Sequence, residues 1–140
     1  MADINGPADA AQAIAASALR AQQERMRVIA ENIANADSTA KTAGGDPYRR
    51  QTAVFAAKMV APGVQGVQMS KVGQDNSPFH QEYQPGNPAA DAKGYVKMPN
   101  VDPLIESLDM REAQRAYEAN LSVIETARAI QSSTLDLLKK

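Results

Sequence analysis

The 140-residue sequence has no cysteine, no tryptophan and a single histidine. Without cysteine there can be no disulfide, thiolate metal site or cysteine nucleophile. A catalytic triad needs a nucleophile held against its histidine. His80 has only Ser77 near it in sequence, so it reads as a strand or loop residue. Apolar runs long enough to cross a membrane, about 18 residues, are missing. The opening MADINGPADA lacks a basic region followed by an apolar one, so no cleaved secretory signal is expected. Charge of one sign is missing too: 15 Lys+Arg stand against 16 Asp+Glu, which argues against nucleic acid as a partner. Gly44-Gly45 runs into Asp46-Pro47, a turn rather than the helix N-terminus a phosphate loop needs. The acids are dispersed without a calcium-loop pattern; Asp37, Asp46, Asp75 and Asp91 read as turn residues. No metal, cofactor or small-molecule substrate is expected.

Bulky aliphatics are also scarce. Leu, Ile, Val and Phe total 25 residues, about 18% of the chain, whereas alanine alone accounts for 26. That content is thin for a closed core, yet a net charge of −1 is far from that of a disordered chain. The composition points to a protein that finishes its burial against other chains. The terminal helices are expected to be incompletely ordered in dilute solution, because ordering entropy exceeds what one chain can bury.

Breakers are concentrated in the middle. Seven of eight Gly, seven of eight Pro and five of six aromatics lie between Gly44 and Pro103. The pattern predicts residues 1–39 as an N-terminal helix, 40–101 as a β/loop excursion and 102–140 as a C-terminal helix. The first helix is expected from Ala8 or Ala10 to Ala36. Its heptad-like seam is Leu19, Met26 and Ile33 with Ala15, Gln22, Ile29 and Ala36. Asn35 and Asp37-Ser38-Thr39 supply a stop, since Asn tolerates the left-handed conformation.

Asp102 can cap the second helix, with Pro103 at its first position. Met110, Ala113, Tyr117, Leu121, Ile124, Arg128, Gln131, Leu135 and Leu138 then follow alternating three- and four-residue steps. Glu24/Arg27, Glu112/Arg115 and Glu125/Arg128 are spaced for helical ion pairs, and Lys139-Lys140 suit the helix C-terminus. Two such rods can cover their stripes by packing antiparallel in a coiled-coil-like pair. The middle predicts two to four short strands, at 48–60, 64–72, 79–83 and 95–98, turning at Pro62-Gly63. Arg49-Arg50 reads as a phosphate contact or as the charged dressing of an edge strand. Asn120 reads as solvent-facing or as a polar residue setting register.

Several stretches together resemble one family. Arg25-Met-Arg-Val-Ile-Ala-Glu-Asn-Ile-Ala-Asn-Ala-Asp-Ser-Thr39 is similar to the N-terminal signature of bacterial flagellar rod, hook and hook-associated proteins. Pro47-Tyr-Arg-Arg-Gln51 follows it. Tyr83–Asp91 (YQPGNPAAD) and Gly94–Val101 (GYVKMPNV) resemble the proximal-rod members specifically. Glu112–Leu121 (EAQRAYEANL) and Thr134–Leu138 (TLDLL) complete the C-terminal pattern. The resemblance covers about Ala18 to Leu138; residues 1–17 match no pattern.

The resemblance implies a non-enzymatic building block of the flagellar rod, exported without cleavage and located in the periplasm-spanning basal body. Met26, Ile29, Asn32, Ile33 and Asn35 would belong to its N-terminal assembly helix. Tyr117, Asn120, Leu121, Ile124, Leu135 and Leu138 would belong to the C-terminal partner, with Tyr48, Arg49, Arg50, Tyr83 and Tyr95 as excursion contacts. Its partners would be copies of itself and other rod proteins, with the basal-body ring and export gate as further neighbours. A soluble helical adaptor or export chaperone, and a hydrolase using paired acids, are the rival readings. Far-UV circular dichroism of the micromolar chain should fall below full helix content; full content with a cooperative melt would refute incomplete ordering.

Overall fold

A computed structural model describes residues 6–139. Its elements are helix α1 (Pro7–Ala34), strands β1 (Gln51–Ala61), β2 (Val64–Gln74), β3 (His80–Tyr83) and β4 (Tyr95–Met98), and helix α2 (Pro103–Leu138). Two long helices therefore bracket a small strand region, made of two two-stranded sheets, β1 with β2 and β3 with β4. Residues 1–5, within the stretch that matches no pattern, and Lys140 lie outside the described residues.

Local chemistry sets the element ends. Pro7 occupies the first helical position of α1, where its missing N–H costs nothing. At the other end, Asn35 Nδ2 donates to the Glu31 carbonyl at 2.8 Å. The Ser38 N–H and hydroxyl both donate to the Asn35 carbonyl. No non-glycine among the described residues has a positive φ. The stop therefore works through these bonds and not through a left-handed Asn35. Asp102 caps α2 as expected: its Oδ1 accepts the N–H groups of Leu104 at 2.9 Å and Ile105 at 3.4 Å, two of the donors a helix start leaves unpaired. Only Pro62-Gly63 separates β1 from β2, a link too short for anything but an antiparallel hairpin. Proline fixes its own φ, and Gly63 takes +73°, the pattern of a type II turn.

The chain divides into two compact units. Residues 6–26, 54–71 and 111–139 form one, and residues 27–53 and 72–110 the other. In the first, the buried hydrophobic residues are all alanine: Ala15, Ala21, Ala61, Ala113 and Ala127. Small side chains let backbones approach closely. Gly66 serves the same end, since a Cβ there would collide with the Ser17 hydroxyl and with Val60. That hydroxyl accepts the Val67 N–H at 3.1 Å and donates to the Ile14 carbonyl, fastening β2 to α1. The helix segments of this unit are joined by Gln12 Nε2 donating to Gln131 Oε1 (2.9 Å), Gln131 donating to Asp9, and an Arg25–Glu112 ion pair at 3.5 Å.

The second unit has a more varied core. Ala89, Val96 and Met98 cluster with Ala40 and Ala90. Strands β3 and β4 pair antiparallel, His80 opposite Met98 and Tyr83 opposite Tyr95. Asp91 Oδ1 accepts the Lys93 and Tyr95 N–H groups, and Gln84 N–H donates to the Gly94 carbonyl, so the long connection is stitched to itself.

The expected helical ion pairs are replaced by others. Arg27 reaches Glu31 at 3.1 Å rather than Glu24, and Glu112 turns to Arg25 rather than Arg115. Glu125 and Arg128 form no pair among the described residues. The i,i+4 spacing competes well with i,i+3, and a neighbouring helix segment offers Glu112 a cation that sequence spacing cannot show.

Gly66→Val should destabilise the chain by about 2 kcal/mol in denaturant unfolding, because overpacking strains the contact with Ser17 and Val60. Gly86→Ala, whose Cβ would meet nothing within 4 Å, is the matched control and should leave stability nearly unchanged.

Candidate functional site

In the unit formed by residues 27–53 and 72–110, the chain leaves α1 and begins β1 at one polar junction. Asn32 is 1% exposed. Its Nδ2 donates to the Gln51 carbonyl at 2.9 Å and to Glu106 Oε2 at 3.0 Å. Its Oδ1 accepts the Gln51 N–H at 2.9 Å and the Tyr48 hydroxyl at 2.8 Å. Both donors and both acceptor positions of the amide are thereby used. Pairing both backbone groups of Gln51, the side chain substitutes for a neighbouring strand where β1 starts.

Arg50 holds the next layer. Its guanidinium bonds Glu106 Oε1 through Nε and approaches Asp109 at 3.3 Å and Asp75 at 3.6 Å. Its N–H donates to Asn100 Oδ1, and its carbonyl accepts the Asp75 N–H. Glu106 is wholly buried, a position carboxylates occupy only when paired. It lies in the first turn of α2, where the helix dipole also favours negative charge. Burial opposes the charge on Arg50, but the bond to Glu106 and the attraction of the three carboxylates outweigh it, so its pKa lies above the ordinary value. The Ser77 N–H, followed by the Ser77 side chain and Arg50, holds Asp75 below the usual carboxylate range. That stabilisation is present at neutral pH and lost as the pH falls through the depressed value. Burial raises the Tyr48 phenol, assisted by Glu31 and Glu106.

Arg49 clamps the adjacent turn. It donates to the carbonyls of Asp75 and Ser77 at 3.0 and 3.1 Å and lies 4.2 Å from the Phe79 ring centre. Neither arginine dresses an edge strand, contrary to the sequence expectation. Both precede β1 and are spent on groups of their own unit, because acids distant in sequence converge there.

The remaining candidates fall into two sets. Ile29 is buried, while Met26, Asn35, Tyr117, Asn120 and Ile124 are half-buried. Asn120 Nδ2 donates to the Ala116 carbonyl one turn back, within α2 itself. Ile33, Leu121, Leu135 and Leu138 are exposed, as are Tyr83 and Tyr95, whose rings meet edge-on at 5.3 Å. Six of the seven leucines of the chain are exposed and none is buried. Sequence reasoning missed Glu106, Asp109, Asn100 and Gln51. Their only signal was an acid in the first turn after a capped Asp-Pro, which reads equally well as an ordinary dipole partner.

Asn32→Ala should cost about 2–4 kcal/mol, since it strands the Gln51 backbone pair and a Glu106 oxygen. Arg50→Met should cost about 3–5 kcal/mol by leaving Glu106 buried without its cation. Adding Glu106→Gln should recover part of that loss. Urea denaturation of the single and double variants measures all three, and strict additivity would refute the coupling.

A family model described as flagella basal body rod protein matches residues 13–40, and one described as flagellar basal body rod FlgEFG protein C-terminal matches residues 92–137. The flagellar basal-body rod protein FlgC of Agrobacterium fabrum is 54% identical over 134 residues, covering 95% of this chain and 96% of the relative. That of Escherichia coli O157:H7 is 46% identical over 126 residues, covering 89% and 92%. That of Borreliella burgdorferi is 39% identical over 144 aligned positions, covering 90% and 94%. With such identity running through nearly the full length of each pair, the chain belongs to the FlgC family of flagellar basal-body rod proteins, structural subunits of the rod.

Proposed function

We propose that this rod subunit takes its place in the proximal rod. Its terminal segments, residues 1–39 and 102–140, which carry α1 and α2, act as one assembly domain in which the helices pack as an antiparallel coiled-coil-like pair. They join copies of the chain and other rod proteins into the tubular drive shaft that transmits torque and encloses the export channel. The role is mechanical and non-catalytic. The subunit leaves the cell's interior by flagellar export without a cleaved signal and spans the periplasm as part of the shaft, with the ring and export gate as further neighbours.

The observation that carries this reading is the segregation of alanine and leucine. Alanines occupy the buried apolar positions in the unit formed by residues 6–26, 54–71 and 111–139, while six of the chain's seven leucines face outwards. Exposed Leu135 and Leu138 are expensive for a chain working alone and useful to one that buries them against neighbours. Opposed numbering within the unit formed by residues 6–26, 54–71 and 111–139 supports the antiparallel arrangement: Asp9 and Gln12 meet Gln131, and Arg25 meets Glu112. Ile33, Leu121, Leu135 and Leu138 are then assembly contacts. Met26, Ile29, Asn32, Asn35, Tyr117, Asn120 and Ile124 shape the helices that present them. Tyr83 and Tyr95 face adjacent subunits, and Tyr48, Arg49 and Arg50 hold the excursion. No observation favours the adaptor reading.

Leu121→Asp should leave the helix content of the soluble chain unchanged, yet abolish motility and remove the chain from salt-washed basal bodies analysed by peptide mass spectrometry. Leu121 is a cleaner probe than the half-buried Ile124. A Leu121→Asp strain that swims like wild type, with the variant present in its basal bodies, would place the assembly face elsewhere.

A further inference from the structure

Side chains alternate across the β3–β4 pair. Val96 and Met98 of β4 are buried, while Tyr83 and Tyr95, opposite each other in the ladder, are exposed. The two rings meet edge to face, 5.3 Å between centres and at 61°. An exposed ring is free to turn unless its neighbours hold it, and here the neighbours are fixed. The Gln84 N–H donates to the Gly94 carbonyl at 2.9 Å, and the Gly94 N–H donates to the Asp91 carbonyl at 3.0 Å. Asp91 bonds both the N–H and the carbonyl of Tyr95.

Gly94 is buried in this frame with φ at +86°, a conformation that disfavours any side chain. A Cβ there would stand 2.9 Å from Cε2 of Tyr83, and 3.1 and 3.4 Å from Cβ and Cα of Pro85. Pro85 cannot turn aside, since its ring is closed onto its own backbone. The tyrosine ring can, by rotation about χ1. A side chain at position 94 would therefore drive the Tyr83 ring away from Tyr95 before it disturbed Val96 and Met98.

We propose that Gly94 is a positioning residue: by carrying no side chain it holds the Tyr83 ring against Tyr95, and so sets the pose in which the two tyrosines meet a neighbouring subunit. The pose itself needs only the geometry above; its use in docking rests on the reading of Tyr83 and Tyr95 as subunit contacts. Rings whose pose is set beforehand lose less freedom on docking.

NMR of the full chain tests the positioning. Gly94→Ala should move the Tyr95 ring resonances towards their positions in Tyr83→Ala; unmoved rings overturn the proposal. In urea, followed by the Met98 methyl signal, Gly94→Ala should lower the folding constant in the wild-type background and in Tyr83→Phe, which keeps Cε2. The loss in both should be roughly tenfold greater than in Tyr83→Ala. Equal losses in all three backgrounds would make Gly94 a residue of the turn alone and overturn the proposal. Peptide mass spectrometry of salt-washed basal bodies then separates the pose from its use. Tyr83→Ala and Gly94→Ala should both be lost from the particles. Tyr83→Ala retained at the wild-type amount overturns Tyr83 as a subunit contact and the docking use with it. Tyr83→Ala lost while Gly94→Ala is retained overturns the role of Gly94.

Discussion

The side-chain amide of Asn32 bonds both backbone groups of Gln51, and the course of the chain out of α1 follows from that pairing. A strand normally gains its hydrogen bonds from another strand; here the first residue of β1 gains them from a helix. The same amide donates to Glu106, so the start of α2 is tied to the start of β1 within that unit. Arg50 then makes the burial of Glu106 tolerable, because a carboxylate cannot stay ionised out of water without a cation and donors. Removing either Asn32 or Arg50 leaves an oxygen of the buried Glu106 without its partner, which couples the three residues within their unit.

Alanine explains how a chain with few aliphatic residues can still build close contacts. Burying an alanine contributes far less than burying a leucine, for which about 1.5–3 kcal/mol is typical. It does, however, bring backbones near enough for polar stitches such as Ser17 with Val67. Six of the seven leucines are left on the outside. On the proposed assembly role, that division places the larger hydrophobic gain between chains and the smaller one within a chain.

Much of the local structure was legible in the residues. Asp102-Pro103 announced the start of α2, Pro62-Gly63 the hairpin turn, and the confinement of glycine and proline to the middle the division into helix, excursion and helix. These are short-range effects, set by φ restrictions and by side chains that bond their own neighbours. The rod-family signatures at Arg25–Thr39 and Tyr83–Val101 were equally readable. Asn35 ended the helix as its position suggested, though through its side chain and not through a left-handed backbone.

The meeting of Asn32, Tyr48, Arg50, Asp75 and Glu106 was not readable, because these residues are separated by up to 74 positions and each has an ordinary local role. Arg50 reads as a solvated cation and Glu106 as a helix-dipole partner until the fold buries Glu106 against the half-buried Arg50. Which side of a striped helix is buried was undecided for a similar reason: α2 has apolar residues on more than one face, and periodicity alone cannot rank them. The sequence by itself determined the kinds and order of the elements, the start of α2 and the family, since these depend on neighbours along the chain. Only the tertiary structure decided which polar groups are buried together and that leucine faces outwards, since these depend on which distant side chains share a space.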